Sequence, residues 1–200
     1  MTNAPPSPSL AELVRASLTT ARDELDRFLA DKASAETVAA IARSLAGSLQ
    51  SGHKLLACGN GGSLCDAVHF CEELTGRFRA DRPALAAIAL ADPGTLTCVD
   101  NDFGYEHVFA RGVEALGRPG DALIVLSTSG NSANCLRAVD AAKQRSMTTI
   151  ALLGKGGGEL RGICDHDLIA PGSTSDRIQE LHMLCLHIMV EAIEHQLFGD

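Results

Sequence analysis

Apolar residues recur at helical spacing over the first part of the chain. Leu10, Leu13, Val14 and Leu18 begin a pattern that continues to about residue 29, and steps of three and four place such residues on one helix face. A second helix is predicted over residues 34–49. Gly52 follows it as a stop signal.

Beyond Gly52 the pattern changes to short apolar runs that are separated, for the most part, by helical patterns. Strand, loop and helix in repetition predict crossover units and a parallel sheet. A helix is expected after the first strand and its loop, ending at about residue 78, and the last helix is expected over residues 175–197. The predicted strands are 54–58, 85–90, 122–126, 148–153 and, more weakly patterned, 166–170.

These elements predict an α/β fold, a doubly wound five-stranded parallel sheet flanked by helices and preceded by two N-terminal helices. No internal linker is visible, so residues 9–200 are interpreted as a single domain. Residues 1–8 are Pro-rich and are expected to form a flexible N-terminus.

The two N-terminal helices and the long C-terminal helix carry more apolar residues than one sheet face needs. Oligomerisation through these helices would bury the surplus. The alternative, that all of them pack on their own domain, remains open.

Composition narrows the choice of partners. The 200 residues are 46% hydrophobic and carry a net charge of −8, and Trp is absent. This balance argues against nucleic acids and anionic membranes as partners. Seven cysteines without a Cys-x-x-Cys pair are typical of a reducing cytoplasm. No secretory signal or membrane-spanning run is present, so a cytoplasmic protein is expected.

Two Gly- and Ser-rich loops follow predicted strands, Gly-Asn-Gly-Gly-Ser at 59–63 and Ser-Thr-Ser-Gly-Asn-Ser at 127–132. Ligands of doubly wound sheets bind at the carboxyl ends of strands. The second loop offers four hydroxyls and opens a helix with Asn131 or Ser132 as the expected N-cap, which favours a phosphate. Neither loop matches a nucleotide-binding motif. Ordinary capping turns are the alternative.

Candidate chemistry lies on two helices. His69 and Glu73 are four residues apart and share a helix face, and Gln179 and His187 lie about two turns apart on the last helix. Two imidazoles, a carboxylate and an amide could hold zinc or a similar divalent ion. The alternatives are a solvated His/Glu pair for the first two residues and, for His182, a surface or packing role.

Four stretches, in this order, resemble the phosphoheptose isomerases, a family with the sugar isomerase (SIS) domain. They are residues 59–77, Asn101-Asp-Phe-Gly104, residues 127–134 and Asp176-Arg-Ile-Gln-Glu-Leu-His182. The resemblance covers nearly the whole chain, and the joint occurrence of the four motifs is more specific than any one of them.

The resemblance implies a cytoplasmic enzyme that converts sedoheptulose 7-phosphate into D-glycero-D-manno-heptose 7-phosphate. This reaction begins the heptose branch of lipopolysaccharide and heptose-nucleotide synthesis. The family is homotetrameric, with active sites at subunit interfaces, and one Zn²⁺ per subunit is expected.

The family's functional residues carry over to matching positions. Glu73 corresponds to the base and His187 to the acid of an enediol mechanism. The implied zinc ligands are His69, Glu73, Gln179 and His187. The residues implied to bind phosphate and sugar are Asn60, Gly61, Gly62, Ser63, Arg77, Asn101, Asp102, Ser127, Thr128, Ser129, Ser132, Asp176 and Gln179.

Three other functions are compatible with an SIS domain. A non-catalytic relative binds the replication initiator DnaA and shares the Arg-Ile-Gln-Glu stretch, but such relatives lack the acid/base pair that is present here as Glu73 and His187. The chain could also isomerise a five- or six-carbon sugar phosphate, or sense a sugar phosphate without turning it over.

Overall fold

The structure, a computed structural model, describes residues 8–199. Of the predicted flexible terminus, residues 1–7 lie outside this range. The elements follow the predicted order of two helices and then strands that are separated, except for β4 and β5, by α-helices. The strands are β1 (Leu55–Gly59), β2 (Ala87–Ala89), β3 (Ala122–Ser127), β4 (Thr148–Leu153) and β5 (His166–Ile169). The α-helices of the described range are α1 (Leu10–Ala30), α2 (Lys32–Gln50), α3 (Gly62–Thr75), α4 (Pro93–Phe103), α5 (Val108–Leu116), α6 (Ala133–Gln144) and α7 (Ser175–Phe198).

The five strands form one parallel sheet in the order β2-β1-β3-β4-β5. The three central strands are buried almost throughout, because helices cover both faces of the sheet. The edge strand β2 is shorter than the predicted run 85–90. Only Ala87–Ala89 pairs with β1, on one side.

Local signals fix the first two helices. Ser9 and Glu12 form a capping box at the start of α1. The second helix begins at Lys32, two residues before the predicted start, because the Asp31 carboxylate accepts a hydrogen bond from the Ala33 N–H at 3.1 Å.

The sheet separates two apolar layers. One layer contains residues of α2, α3 and α7, among them Ile41, Leu74 and Ile178. The other contains residues of α4, α5 and α6, among them Val113 and Val139. No helix within residues 8–199 is long and apolar enough to cross a membrane.

The strand order places the switch point between β1 and β3. The chain leaves β1 towards β2 on one side and leaves β3 towards β4 on the other. Gly59 of β1 is in register with Leu126 of β3, so the two Gly- and Ser-rich loops emerge side by side. This crevice is where an open α/β sheet binds its ligands.

Candidate active site

The turn from β1 into α3 depends on glycine. A side chain on Gly59 would meet the Leu126 carbonyl oxygen at 2.9 Å, and Gly61 has a φ of +54°, a conformation that favours glycine. Through this turn α3 starts at the carboxyl edge of the sheet. His69 and Glu73 follow on one face of the helix, with 3.4 Å between His69 Nε2 and Glu73 Oε1.

The long C-terminal helix adds the third group. His187 of α7 places its Nε2 at 3.0 Å from the Nε2 of His69, 118 positions away in sequence. One ligand atom from each of His69, Glu73 and His187 lies within 4.8 Å of the others. We refer to these three residues as the His–Glu–His cluster.

Glu72 contacts the nitrogen of His69 that faces away from this cluster. Its Oε2 lies at 3.0 Å from His69 Nδ1, which favours a proton on Nδ1 and leaves Nε2 facing the cluster. Carboxylates that orient a histidine in this way are typical of metal sites. The 3.0 and 3.4 Å separations are close to the roughly 3.3 Å expected between nitrogen or oxygen ligands of tetrahedral Zn²⁺, so these donors fit the ion.

Gln179, the fourth predicted ligand, contacts the start of α3. Its Nε2 donates to Ser63 Oγ at 3.2 Å. A side chain on Gly62 would meet the Gln179 amide at 2.7 Å, so this glycine permits the close packing of α3 and α7. The ligand role of Gln179 stays a prediction.

The loop after β3, residues 127–132, is called the serine loop and is held by its own hydrogen bonds. The buried Ser127 hydroxyl accepts from the Gly130 N–H at 3.1 Å and lies 3.3 Å from Ser132 Oγ. Ser129 Oγ accepts from the Asn131 N–H at 3.2 Å. Ser132 is the N-cap of α6, as predicted, but its hydroxyl makes no capping bond. The helix start therefore presents N–H groups suited to an anion.

The start of α7 closes this loop from the other side. Thr128 Oγ1 lies 3.1 Å from Ser175 Oγ. Hydrogen bonds from Thr174 and Arg177 lower the pKa of the neighbouring Asp176, which keeps a carboxylate at the rim.

Asn60 is held by two residues that the sequence analysis did not select. Its amide exchanges hydrogen bonds of 2.9 and 2.8 Å with the amide of the buried Asn134, and its Oδ1 accepts from the Tyr105 hydroxyl at 2.9 Å. Both residues lie within or directly after stretches that carried the family resemblance, which is the signal that could have identified them.

Two more neighbours of the cluster were also missed. Phe78 stacks on the His187 imidazole, with ring centroids 5.7 Å apart. Asp66, one turn before His69, is partly buried, and among the described residues its Oδ2 has no hydrogen-bond partner. Burial raises the pKa of Asp66 to about 6, although the charge of His69 opposes the shift.

Three predicted substrate residues are not brought to the cluster by their contacts within the described chain. Arg77 is exposed and pairs with Asp81 at 2.8 Å. Asn101 and Asp102 are exposed at the end of α4, where the Asn101 amide donates to Asp102 at 2.7 Å. Their roles stay predictions.

Comparison with known proteins identifies the class of this fold and site. A family model described as "SIS domain" matches residues 18–154. The chain therefore belongs to the SIS-domain proteins.

Whole-chain comparisons specify the family. Phosphoheptose isomerase of Vibrio vulnificus (strain CMCP6) is 51% identical over 187 residues, which cover 93% of this chain and 98% of that protein. The solved phosphoheptose isomerase of Neisseria gonorrhoeae is 40% identical, with a TM-score of 0.87 over 93% of this chain and 99% of that one. The Francisella tularensis structure is 34% identical, with a TM-score of 0.89 over 94% of this chain and 100% of that one. The chain is a member of the phosphoheptose isomerase family.

The resemblance noted in the sequence is thereby confirmed. The chain is an isomerase of sugar phosphates rather than a non-catalytic SIS module.

Proposed function

We propose that this isomerase converts sedoheptulose 7-phosphate into D-glycero-D-manno-heptose 7-phosphate in the cytoplasm, as a step towards heptose nucleotides and lipopolysaccharide precursors. The observation that supports this most directly is the His–Glu–His cluster, with 3.0 and 3.4 Å between its facing atoms, on two helices whose starts border the serine loop. A seven-carbon sugar phosphate needs both parts, one for its phosphate and one for its reacting carbons.

The ketose-to-aldose shift requires proton transfer between two neighbouring carbons. Glu73 takes a proton from C1, while His187 supplies a proton to the oxygen on C2, which gives an enediol. Glu73 then returns a proton to C2, and His187 accepts the proton of the C1 hydroxyl as the aldehyde forms. The steps balance without an oxidant or a reductant.

His69, Glu73, His187 and, as predicted, Gln179 would hold one Zn²⁺ per subunit. When bound, the ion would polarise the substrate carbonyl and stabilise negative charge on the enediol oxygens. The contact of Glu72 with His69 Nδ1 at 3.0 Å, which leaves Nε2 facing the cluster, supports this assignment.

The serine loop would bind the phosphate far from the reacting carbons. The hydroxyls would come from Ser63, Ser127, Thr128, Ser129 and Ser132. Backbone N–H groups would come from the start of α3, which includes Gly61 and Gly62, and from the start of α6. Binding energy from this remote group orients the open-chain sugar over the His–Glu–His cluster. Asn60, Asp176 and Gln179 border the crevice and would contact the sugar hydroxyls.

Arg77, Asn101 and Asp102 would complete a site on a neighbouring subunit. All three are exposed, and their side-chain hydrogen bonds within residues 8–199 are local. A homotetramer with sites at its interfaces gives them a function and also buries the apolar residues of α1.

Turnover of sedoheptulose 7-phosphate tests the proposal. Purified protein, with and without added zinc, is followed by proton NMR for the anomeric signal of the aldose, beside five- and six-carbon ketose phosphates. We expect zinc-dependent conversion of the seven-carbon substrate at the highest kcat/KM. Faster conversion of a shorter sugar, or no conversion by folded zinc-loaded protein, would overturn the substrate assignment.

Glu73→Gln separates the two roles of this residue, because a carboxylate cannot be a tight ligand and a free base at the same instant. The amide keeps a ligand oxygen but cannot take a proton. We expect kcat to fall by about 100-fold or more while zinc stays bound, as measured by metal analysis of the dialysed variant. Turnover close to that of the wild type with zinc retained would remove Glu73 from the base role.

A further inference from the structure

Arg82 is a buried cation just beyond the proposed catalytic helix. Its side chain is 4% exposed. Its Nη2 donates to the Glu73 carbonyl oxygen at 2.6 Å and its Nη1 to the Leu74 carbonyl oxygen at 2.7 Å. Nη1 also lies 3.0 Å from the Gly76 carbonyl oxygen. One guanidinium thus donates hydrogen bonds to the carbonyl groups at the C-terminal end of α3.

These carbonyl groups require a partner. The last carbonyls of a helix have no N–H partner within the helix, and α3 ends at Thr75, short of the predicted residue 78. A cation at this position also complements the negative end of the helix dipole. Arg82 is therefore a side-chain cap for the helix that carries His69 and Glu73.

The charge of Arg82 is balanced from the other catalytic helix. Its Nε donates to Glu194 Oε1 of α7 at 2.8 Å, and Glu194 is itself buried. Glu194 lies seven residues, about two turns, beyond His187. A chain of direct contacts therefore runs from the backbone of Glu73 through Arg82 to the helix that carries His187.

The segment that precedes Arg82 follows the same helix. Phe78 stacks on His187, and Arg79 forms an ion pair with Glu191 at 2.7 Å. Residues 78, 79 and 82 thus contact residues 187, 191 and 194 of α7, which follow one another by about one turn each. Among these contacts only the Arg82 pair is buried, so it is the one least weakened by water.

We propose that Arg82 is a positioning residue for the His–Glu–His cluster. It sets the distance between α3 and α7 and with it the separation of Glu73 and His187. The consequence for catalysis rests on the proposed function, whereas the consequence for metal affinity and cluster geometry does not depend on which substrate is used.

Arg82→Lys is the sharpest test. Lysine keeps the charge, but its compact ammonium cannot reach Glu194 and the separate carbonyls of α3 in one plane. We expect kcat to fall by roughly tenfold or more, since small displacements of catalytic groups are costly. KM should stay within about twofold, because the serine loop that binds the phosphate lies elsewhere. Zinc affinity, measured against a chromophoric chelator, should weaken by roughly tenfold.

Two further variants keep the result interpretable. Glu194→Gln retains an oxygen that can accept from Arg82, so we expect smaller decreases in kcat and zinc affinity than in Arg82→Lys. The double variant Arg82→Lys/Glu194→Gln should lose little more than Arg82→Lys alone. Val139→Ala lies in the apolar layer on the opposite face of the sheet. It should lower Tm without changing kcat or zinc affinity.

The imidazole ¹⁵N shifts of His69 and His187 in metal-free protein provide a readout that needs neither zinc nor substrate. They should move in Arg82→Lys and stay in place in Val139→Ala. If Arg82→Lys lowers Tm as Val139→Ala does while shifts, zinc affinity and kcat remain those of the wild type, Arg82 is only structural and the inference fails. If the wild-type protein does not turn over sedoheptulose 7-phosphate, the proposed function fails while the shifts and the zinc affinity still test Arg82.

Discussion

His182 lies on the same helix as His187 but has a packing role. It is 0% exposed, and its Nε2–H donates to the Leu153 carbonyl oxygen at 2.9 Å. Among the described residues its Nδ1 has no hydrogen-bond partner. Burial lowers the pKa of His182 to about 4 despite this hydrogen bond.

The free energy of unfolding should therefore depend on the charge of His182. The folded state holds the imidazole neutral down to about pH 4, whereas the unfolded chain binds a proton below its ordinary pKa of 6.5. The part of the unfolding free energy that depends on a neutral His182 is fully present above pH 6.5 and is lost as pH falls towards 4. The loss is about 3 kcal/mol, measurable by urea unfolding at a series of pH values.

His182→Gln is the control, because its amide can still donate to the Leu153 carbonyl but does not titrate. The difference in unfolding free energy between wild type and variant should shrink as the solution is acidified. A difference independent of pH from 7 to 4 would show that His182 does not titrate in this window.

At single positions, spacing predicted that His69 and Glu73 meet, because residues four apart share a helix face. It did not predict which nitrogen of His69 faces the cluster, which depends on the contact of Nδ1 with Glu72. Nor did it predict the buried role of Arg82, since a cation in a loop is exposed in most proteins.

The serine loop and the loop after β4 form one packed unit at the sheet edge. Gly130 has a φ of +67°, and a side chain on it would run into the Gly157 carbonyl group. Asn131 Oδ1 accepts from the Glu159 N–H at 2.9 Å. The loop after β4 therefore holds the serine loop in the conformation that would receive the phosphate.

Gly130→Ala should disturb both loops. The left-handed backbone and the contact with Gly157 together are expected to cost about 2 kcal/mol or more of unfolding free energy. KM for the sugar phosphate should rise, because the N–H groups of the loop are displaced. Urea unfolding and steady-state kinetics measure the two effects.

Gly47→Ala is the matched control for this substitution. Gly47 lies within α2, and a side chain there would meet no atom within 4 Å. The variant should be unchanged or slightly more stable, by about 0.5–1 kcal/mol, with normal kinetics. If Gly130→Ala behaved like Gly47→Ala, the loop would not need glycine.

Element boundaries show where local signals were sufficient. The predicted strand 148–153 coincides with β4, because a run of β-branched and apolar residues stops at Gly154. The helix predicted to reach residue 78 ends at Thr75, since Gly76 is the C-cap and a distant Arg82 takes the last carbonyl groups.

The first helix leaves an apolar stripe on the surface of the single chain. The stripe consists of Leu10, Leu13, Val14 and Leu18, exposed by 56% to 81%. These positions have the spacing i, i+3, i+4 and i+8 and lie on one face of α1. Such a stripe is typical of a surface that another chain covers.

Leu18→Glu should weaken the proposed tetramer. Burial of a leucine contributes about 1.5–3 kcal/mol, so the dissociation constant should rise by at least roughly tenfold. Sedimentation velocity over a range of concentrations measures it. Activity should fall in parallel if Arg77, Asn101 and Asp102 act across the interface.

Thr19→Glu adds the same charge to the next residue, which is also exposed but lies about 100° around the helix. It should leave assembly unchanged. Equal dissociation of both variants, or of neither, would exclude the stripe as the assembly surface.

From the sequence alone we could predict the order of the elements, the parallel sheet and the positions of the two Gly- and Ser-rich loops, because these follow from periodicity and turn residues over short distances. Its motifs also determined the family. The packing of distant parts of the chain was needed to show that His187 faces His69 and that Arg82 joins α3 to α7. Those contacts link residues whose side-chain directions depend on how α3 and α7 pack, and helix packing is set by the whole core rather than by any local pattern.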